Sequence, residues 1–515
     1  MYQQDKIERK YSYSVNMLKA EHDFFRISFS TGICLLIFLM LTIKAGIICI
    51  SQNAENDQPV SQQTGDSSKR IAESEEDDKN SENNLLADKQ VDDEPEACVL
   101  ITASSGGRTH QTLQITASEA FTVTSAAGTD TFSGNDKVNF EEYFSEKHVN
   151  SCSVSLLDTD GHVFQTSESG SEAAVTGIRI LSLKKGGITP VYPGILMIYQ
   201  KPEDGTFYLV NRVLLESYLP GVVSSEMPDH FGLEALKAQA VCARSYAMYV
   251  LENEEPETAE TGFVSWNLVD TTDDQVYLSG PVDARAVTAC EQTRGQILYQ
   301  DRSILKPHYY STSWGMKADG AVFKGETTEF LQAAAPISSD FSIEEMNRDF
   351  ITAYETLADE TSGKALPFDC ESPWFRWNCR ISLSLLSDKR IKEITVTKRG
   401  TGGYVSEMMI FYEDGTAELI RGAGSVRRKF GFSDTVYHLQ DNSERSGLSI
   451  LPSAFFYLES VKTSNGMQTV TLHGGGFGHG YGMSQYGAAE MAEKGYSFVE
   501  ILSYYYEKAT LEKYL

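Results

Sequence analysis

Glu226 stands in the segment Ser224-Ser-Glu-Met-Pro228, with apolar Val222, Val223 and Met227 beside it. Apolar neighbours raise the pKa of a carboxyl by desolvation. A carboxylic acid with a raised pKa is the usual proton donor to the leaving oxygen of a glycosidic bond. A helix is predicted to start just after Glu226, and the positive end of its dipole favours the ionised form. The two influences oppose each other. Taken alone, Glu226 reads as a charge at the start of a helix. Glycoside hydrolysis commonly adds a second carboxylate, for which Asp229, Asp273 and Asp274 are the candidates.

Other polar groups could bind a ligand. Lys237 and Arg244 are seven residues apart and share a helix face, with Gln239 on a neighbouring face. The alanines at 235, 238, 240 and 243 make that helix thin, so its polar groups meet a partner, a ligand or solvent. Tyr309, Tyr310 and Ser311 lie at a strand end by the Ser311-Thr-Ser313 turn. In His473-GGGFGHGYGMSQYG-487, seven glycines permit close backbone approach, and His479 and Gln485 are the polar groups this loop could present. A tight turn that ties the last helices to the core, with His479 bonded to backbone, fits the same residues, and both readings stand. Two alternatives fall away. The His-Gly-Gly-Gly run has no GxSxG nucleophile elbow to serve. His473 and His479 have no nearby Cys or third His to complete a metal site, so neither metal nor cofactor is expected.

The elements that must position these residues follow from periodicity and punctuation. Leu233 to Leu251 carries no Pro or Gly and predicts one central helix, capped by Asp229 or His230. Asn211 to Val223 reads as a short strand, a Pro-Gly turn and a second short segment. Between Cys98 and Gly187 short alternating runs broken by Gly, Asp and Ser predict strands. Ile195 to Asn211 predicts a hairpin turning at Glu203-Asp-Gly. A helix is expected from Pro281 to Arg294, ended by Gly295. Further strands follow to Ile420, then a short helix at Arg427 to Phe430. Met483 to Lys494 and Phe498 to Tyr506 predict two C-terminal helices, the second with a Ser497/Glu500 capping box. The fold class is α+β, strand-rich with a central helix and C-terminal helices.

Five stretches divide the chain. Residues 1–26 are polar and basic. Residues 27–50 form an apolar run long enough for one transmembrane helix, with Lys44 its one charge. A cleaved signal peptide is the competing reading. Residues 51–97 carry 14 Asp and Glu against 4 Lys and Arg, a linker too polar to bury a core. Residues 98–190 are a strand-rich region, and 191–515 hold Glu226 and the motifs above. Positive charge before the apolar run and acid after it predict a cytoplasmic N-terminus with the bulk outside the cell membrane. The net charge of −28 argues against nucleic acid as a partner. Outside the cytosol, Cys98 with Cys152 and Cys370 with Cys379 are the expected disulfide pairs.

Several separated segments resemble the stage II sporulation protein D family, which includes amidase enhancers. They are LESYLPGVVSSEMP (215–228), LEALKAQAVCARSYA (233–247), DTTDDQVYLSG (270–280), TRGQILYQDRSILKPHYYSTSWG (293–315), SPWFRW (372–377) and the run from Gly474 to Tyr506. They occur in the family's order. The resemblance implies a lytic transglycosylase that cleaves the bond between N-acetylmuramic acid and N-acetylglucosamine in peptide-stripped peptidoglycan. It makes Glu226 the catalytic acid, later the base. Lys237, Gln239 and Arg244 match polar positions of the family helix and, with Tyr309, Ser311, His479 and Gln485, are the expected substrate-binding residues. Peptidoglycan glycan strands, a cell-wall amidase and other engulfment proteins are the implied partners. A non-catalytic amidase enhancer is the alternative. This chain departs from the family at Gly232, Cys242 and Trp314. Trp314 is expected to narrow or line the glycan groove.

Overall fold

Strands that alternate apolar and polar residues bury one face, and the first sheet is built in this way. The computed structural model describes residues 94–157, 163–166, 171–228, 230–259, 264–316, 318, 351, 354–355 and 366–514. Seven strands form this sheet: β1 (Glu96–Leu100), β2 (Phe121–Ser125), β3 (Gly128–Phe132), β4 (Ser151–Leu156), β5 (Ile195–Gln200), β6 (Phe207–Leu214) and β7 (Leu268–Val269). Their order is β7-β1-β6-β5-β4-β2-β3, antiparallel except for the β1–β7 pair. Strands from either side of residue 190 therefore share one ladder. The β5–β6 hairpin turns where Glu203-Asp-Gly predicts it, with Gly205 at φ +72°. Helix α1 (Phe140–Lys147) lies between β3 and β4 in the chain, capped by the Asn139 side chain.

The helical layer covers this sheet. It holds α2 (Leu215–Glu226), α3 (Leu233–Asn253) and α4 (Ala284–Gln292), with Gly295 in the left-handed region just past α4. Alanine-rich α3 is buried almost all round, as a helix without a polar face must be. Its first residue agrees with the sequence, but its cap does not: Gly232 is the N-cap and gives no side-chain bond. The larger correction is α2. The Pro-Gly turn expected there is the middle of a helix that runs through Pro220 and Gly221. Packing overrides the breaker signal: Leu215, Tyr218, Leu219, Val222 and Val223 are fully buried. A side chain at Gly221 would collide with the Tyr277 ring, which lies against the helix.

A second hydrophobic core gathers residues between Trp374 and Leu472, around helix α5 (Ala423–Lys429) and two strands, β9 (Trp377–Ser382) and β10 (Met467–Gly474). Between them in sequence order with the first core stands β8 (Tyr309–Tyr310), which pairs in parallel with β11 (Met483–Ser484). Helices α6 (Gln485–Glu493) and α7 (Phe498–Tyr505) close the fold, and the predicted capping box of Ser497 and Glu500 is present. The architecture is thus mixed α+β and strand-rich, with seven α-helices among the described residues. The apolar run 27–50 lies outside the described residues, among which no helix is long and apolar enough to cross a membrane.

Neither expected disulfide forms; all four thiols are free. Cys98 and Cys152 lie on β1 and β4, three strand spacings or about 14 Å apart, against the roughly 4–7 Å between Cα atoms that a disulfide needs. They also pack in different hydrophobic clusters. Cys379 points into the second core, whereas Cys370 sits half-exposed in a short 3-10 helix (Phe368–Glu371) beside Glu371.

Candidate active site

Glu226 is the last residue of α2, not a residue at the start of a helix. The helix dipole therefore presents its negative end here, opposite to the expectation from sequence. The carboxyl is half-buried, and Oε1 accepts the backbone N–H of Val276 at 2.7 Å. Burial pushes its pKa up to about 7, against the opposing pull of the Val276 N–H and the Gln485 amide. The Gln485 contact is the looser of the two, since Nε2 of this buried side chain has no partner at hydrogen-bond geometry. No charged residue takes part in setting this pKa among the described residues. Asp229 lies outside them. Asp274 is held by the Tyr246 hydroxyl and the Val269 N–H, and burial raises its pKa. Asp273 is exposed.

A chain of neutral polar groups runs beside the carboxyl. The Tyr309 hydroxyl donates to Gln275 Oε1 at 2.9 Å, and Gln275 Nε2 reaches the Tyr218 hydroxyl at 3.4 Å. Burial raises the pKa of both phenols far above normal, and the nearby Glu226 charge adds to this. Gln275 and the Val276 backbone were not visible as site groups in the sequence. A backbone donor leaves no residue signature, and a Gln within a strand-like run carries none either.

The remaining predicted residues fall into two groups. Gln239 is wholly buried, and neither of its amide atoms has a hydrogen-bond partner. Buried amides are normally paired, and helical spacing sets Gln239 on the α3 face that carries Cys242, Ala243 and Tyr246. Ser311 accepts the Tyr486 N–H through its carbonyl, linking the end of β8 to α6. Arg244, by contrast, is fully buried and spent elsewhere: it forks onto Glu216 at 2.7 and 2.8 Å and donates to the carbonyls of Cys290 and Gln296. Lys237 pairs with Glu234 at 2.6 Å near the Phe498 ring. Neither cation reaches Glu226.

His479 clasps the glycine-rich loop to β8. Its Nε2 lies 3.1 Å from the Tyr309 carbonyl and its Nδ1 accepts the Tyr481 N–H, which fixes a neutral ring donating from Nε2. Burial pushes its pKa down to about 3. The glycines serve the same clasp. A Cβ at Gly482 would overlap the His308 carbonyl, and one at Gly478 would lie 2.7 Å from Tyr310 Cβ. The close approach is thus to the protein's own backbone. Asp369 adds a further tie, accepting from Thr312, Ser313 and Ser484. Trp314 does not line a groove: it is fully buried, and its indole N–H donates to the Gly402 carbonyl.

Comparison with known proteins adds to this geometry. The family described as Stage II sporulation protein matches residues 203–299, and a domain of unknown function matches residues 318–482. The amidase enhancer of Bacillus subtilis (strain 168) is 25% identical over 308 residues, 58% of this chain and 40% of that protein. Stage II sporulation protein D of Bacillus amyloliquefaciens is 27% identical over 312 residues, covering 58% of this chain and 74% of its own length. The Bacillus subtilis (strain 168) protein of the same name is 24% identical over 350 residues, 65% and 84% of the two chains.

Proposed function

We propose, from the match to the family described as Stage II sporulation protein over residues 203–299 and from the similarity to stage II sporulation protein D, that the chain is a lytic transglycosylase of peptidoglycan of that family. The reading assigns it the bond between N-acetylmuramic acid and N-acetylglucosamine in peptide-stripped glycan strands during engulfment, with the apolar run 27–50 as a membrane anchor. A partner amidase would supply the stripped strands.

One observation carries the proposal: a single half-buried carboxyl with a pKa pushed up to about 7 and no charged neighbour that shifts it among the described residues. An acid poised near neutrality can both give and take a proton. Protonated Glu226 donates to the bridging oxygen as the glycosidic bond breaks. The resulting carboxylate accepts the proton of the muramic 6-hydroxyl as that oxygen attacks the anomeric carbon. Glu226 ends protonated, and no water is consumed. A second carboxylate, which a hydrolase would need to activate water, has no part in this sequence.

The test is digestion of peptide-free glycan strands. The parent protein should leave 1,6-anhydro-muramic ends, lighter by one water than reducing ends. Glu226→Gln should keep glycan binding and lose cleavage about a hundred- to ten-thousand-fold. Reducing ends would overturn the transglycosylase chemistry. No cleavage by the parent, with stimulation of a separate amidase, would favour the enhancer reading.

A further inference from the structure

Thr102, Lys185 and Asp270 form a buried polar cluster that the proposed chemistry leaves unexplained. Strands β1 and β7 run parallel, and Thr102 and Asp270 stand just past their paired ends. Asp270 Oδ1 accepts the Thr102 N–H at 3.0 Å and the Thr102 hydroxyl at 2.7 Å. The Asp270 N–H donates to the Leu100 carbonyl at 3.1 Å. Lys185 pairs with Asp270 Oδ2 and donates to Thr102 Oγ1 at 3.1 Å. It opens a tight turn, Lys185-Gly-Gly-Ile188, whose end residues exchange two backbone bonds of 3.0 Å, with Gly186 and Gly187 both at positive φ. Lys185 is the buried residue of that turn. An ion pair taken out of water is often no more stabilising than apolar residues of the same volume. Three donors on one carboxylate supply direction instead.

Asp270 also begins the loop that holds the acid. Its carbonyl accepts the Tyr277 N–H at 3.4 Å, and the N–H one residue earlier, that of Val276, donates to Glu226 Oε1 at 2.7 Å. Two consecutive N–H groups are thus divided between Asp270 and Glu226. We propose that Lys185 and Thr102 are positioning residues that act through Asp270, setting the loop Asp270–Tyr277 so that the Val276 N–H meets the Glu226 carboxyl. The inference rests on Glu226 being the acid. It gives the strand-rich stretch 98–190, which precedes the family match at 203–299, a part in the active site. Other anchors hold the same loop from the helical side. Asp274 takes the Val269 N–H and the Tyr246 hydroxyl, and the Leu278 N–H donates to Ser225 Oγ on α2 at 3.0 Å. Asp270 ties it to the strand-rich side. The other titratable groups at the cluster are His110 and Tyr277. His110 Nε2 lies 2.8 Å from the Ile101 carbonyl, and burial pushes its pKa down. The Tyr277 hydroxyl donates to Asn211.

The experiment is a carbon-13 carboxyl NMR titration of Glu226 in the full chain, assigned with Glu226→Gln, beside the pH profile of glycan cleavage. Lys185→Met removes the charge from a side chain of similar length and releases the loop. A hydrogen bond to a carboxylate favours its charged form, so loosening the Val276 bond should raise the Glu226 pKa by roughly one pH unit. The alkaline limb of the profile should rise with it, and the loss of rate should fall on kcat more than on KM. A part played in folding alone would lower activity equally at every pH and move neither the pKa nor the limb. Breaking one side of a buried ion pair is strongly destabilising, so Thr102→Val is the second variant. It removes a hydroxyl with little change of shape and keeps the Thr102 N–H bond, and the same shift should be seen, smaller. An unmoved or lowered Glu226 pKa in folded Lys185→Met, or in Thr102→Val should Lys185→Met not fold, overturns the inference. The titration does not depend on turnover. A Glu226→Gln variant that still cleaves would sink the role assigned to Glu226, whereas the titration alone decides whether Lys185 and Thr102 set the loop.

Discussion

At the scale of single residues, Glu226 makes stability depend on pH in an unusual direction. Its folded pKa of about 7 exceeds the ordinary value of 4.5. Between those values the folded protein holds a proton that the unfolded chain has lost, so stability falls as pH rises through that window and levels off above it. Glu226→Gln cannot ionise and escapes the decline. Urea unfolding at pH 4 and pH 8 should find the variant gaining on the parent at the higher pH, by up to about 3 kcal/mol. An equal difference at both pH values would contradict the raised pKa. An ion-paired carboxylate such as Asp414, which its contacts with Lys389 and Thr416 hold well below its usual range, behaves oppositely. Residue chemistry was only partly legible in the sequence. The apolar surroundings of Glu226 were readable, as was a thin helix behind it. That Arg244 is consumed by Glu216 was not, because the two are 28 residues apart and their pairing is a property of helix packing.

At the scale of elements, the segments with strong periodicity were legible. Helix α3, the β5–β6 hairpin, the stop at Gly295 and the Ser497 capping box all follow from local chemistry. Helix α2 was not, since Pro220-Gly221 signals a turn wherever tertiary burial does not outweigh it. The glycine-rich loop was legible as a close approach, but its partner was not. That partner is β8 and the turn after it, joined by the Tyr309–Met483 and Tyr310–Ser484 pairs and the Thr312–Phe477 bridge. Gly482 is the tightest point, at φ +88° and against the His308 carbonyl. Gly482→Ala should therefore cost on the order of 3 kcal/mol or more, from the left-handed backbone and the overlap together. Denaturant unfolding checks this, and a loss under about 0.5 kcal/mol, the range of an ordinary surface change, would refute the packing argument.

At the scale of the whole molecule, the apolar run 27–50 motivates the proposed anchor, which would leave the residues after Ser51 outside the cell membrane. Protease added to intact protoplasts should then remove everything beyond Ser51. Protection of that portion would refute the topology, and a mature N-terminus near Ala54 would mean cleavage. The order in which the site residues occur has a further consequence. Glu226, Gln275 and Tyr309 precede by well over a hundred residues Gln485, the glycine clasp and helices α6 and α7, which pack on α3. A ribosome that has made the acid has not yet made the wall that faces it. The cell that synthesises this protein therefore holds no finished site until translation has passed α6 and α7, and a message broken earlier yields a fragment that has the acid but lacks that facing wall.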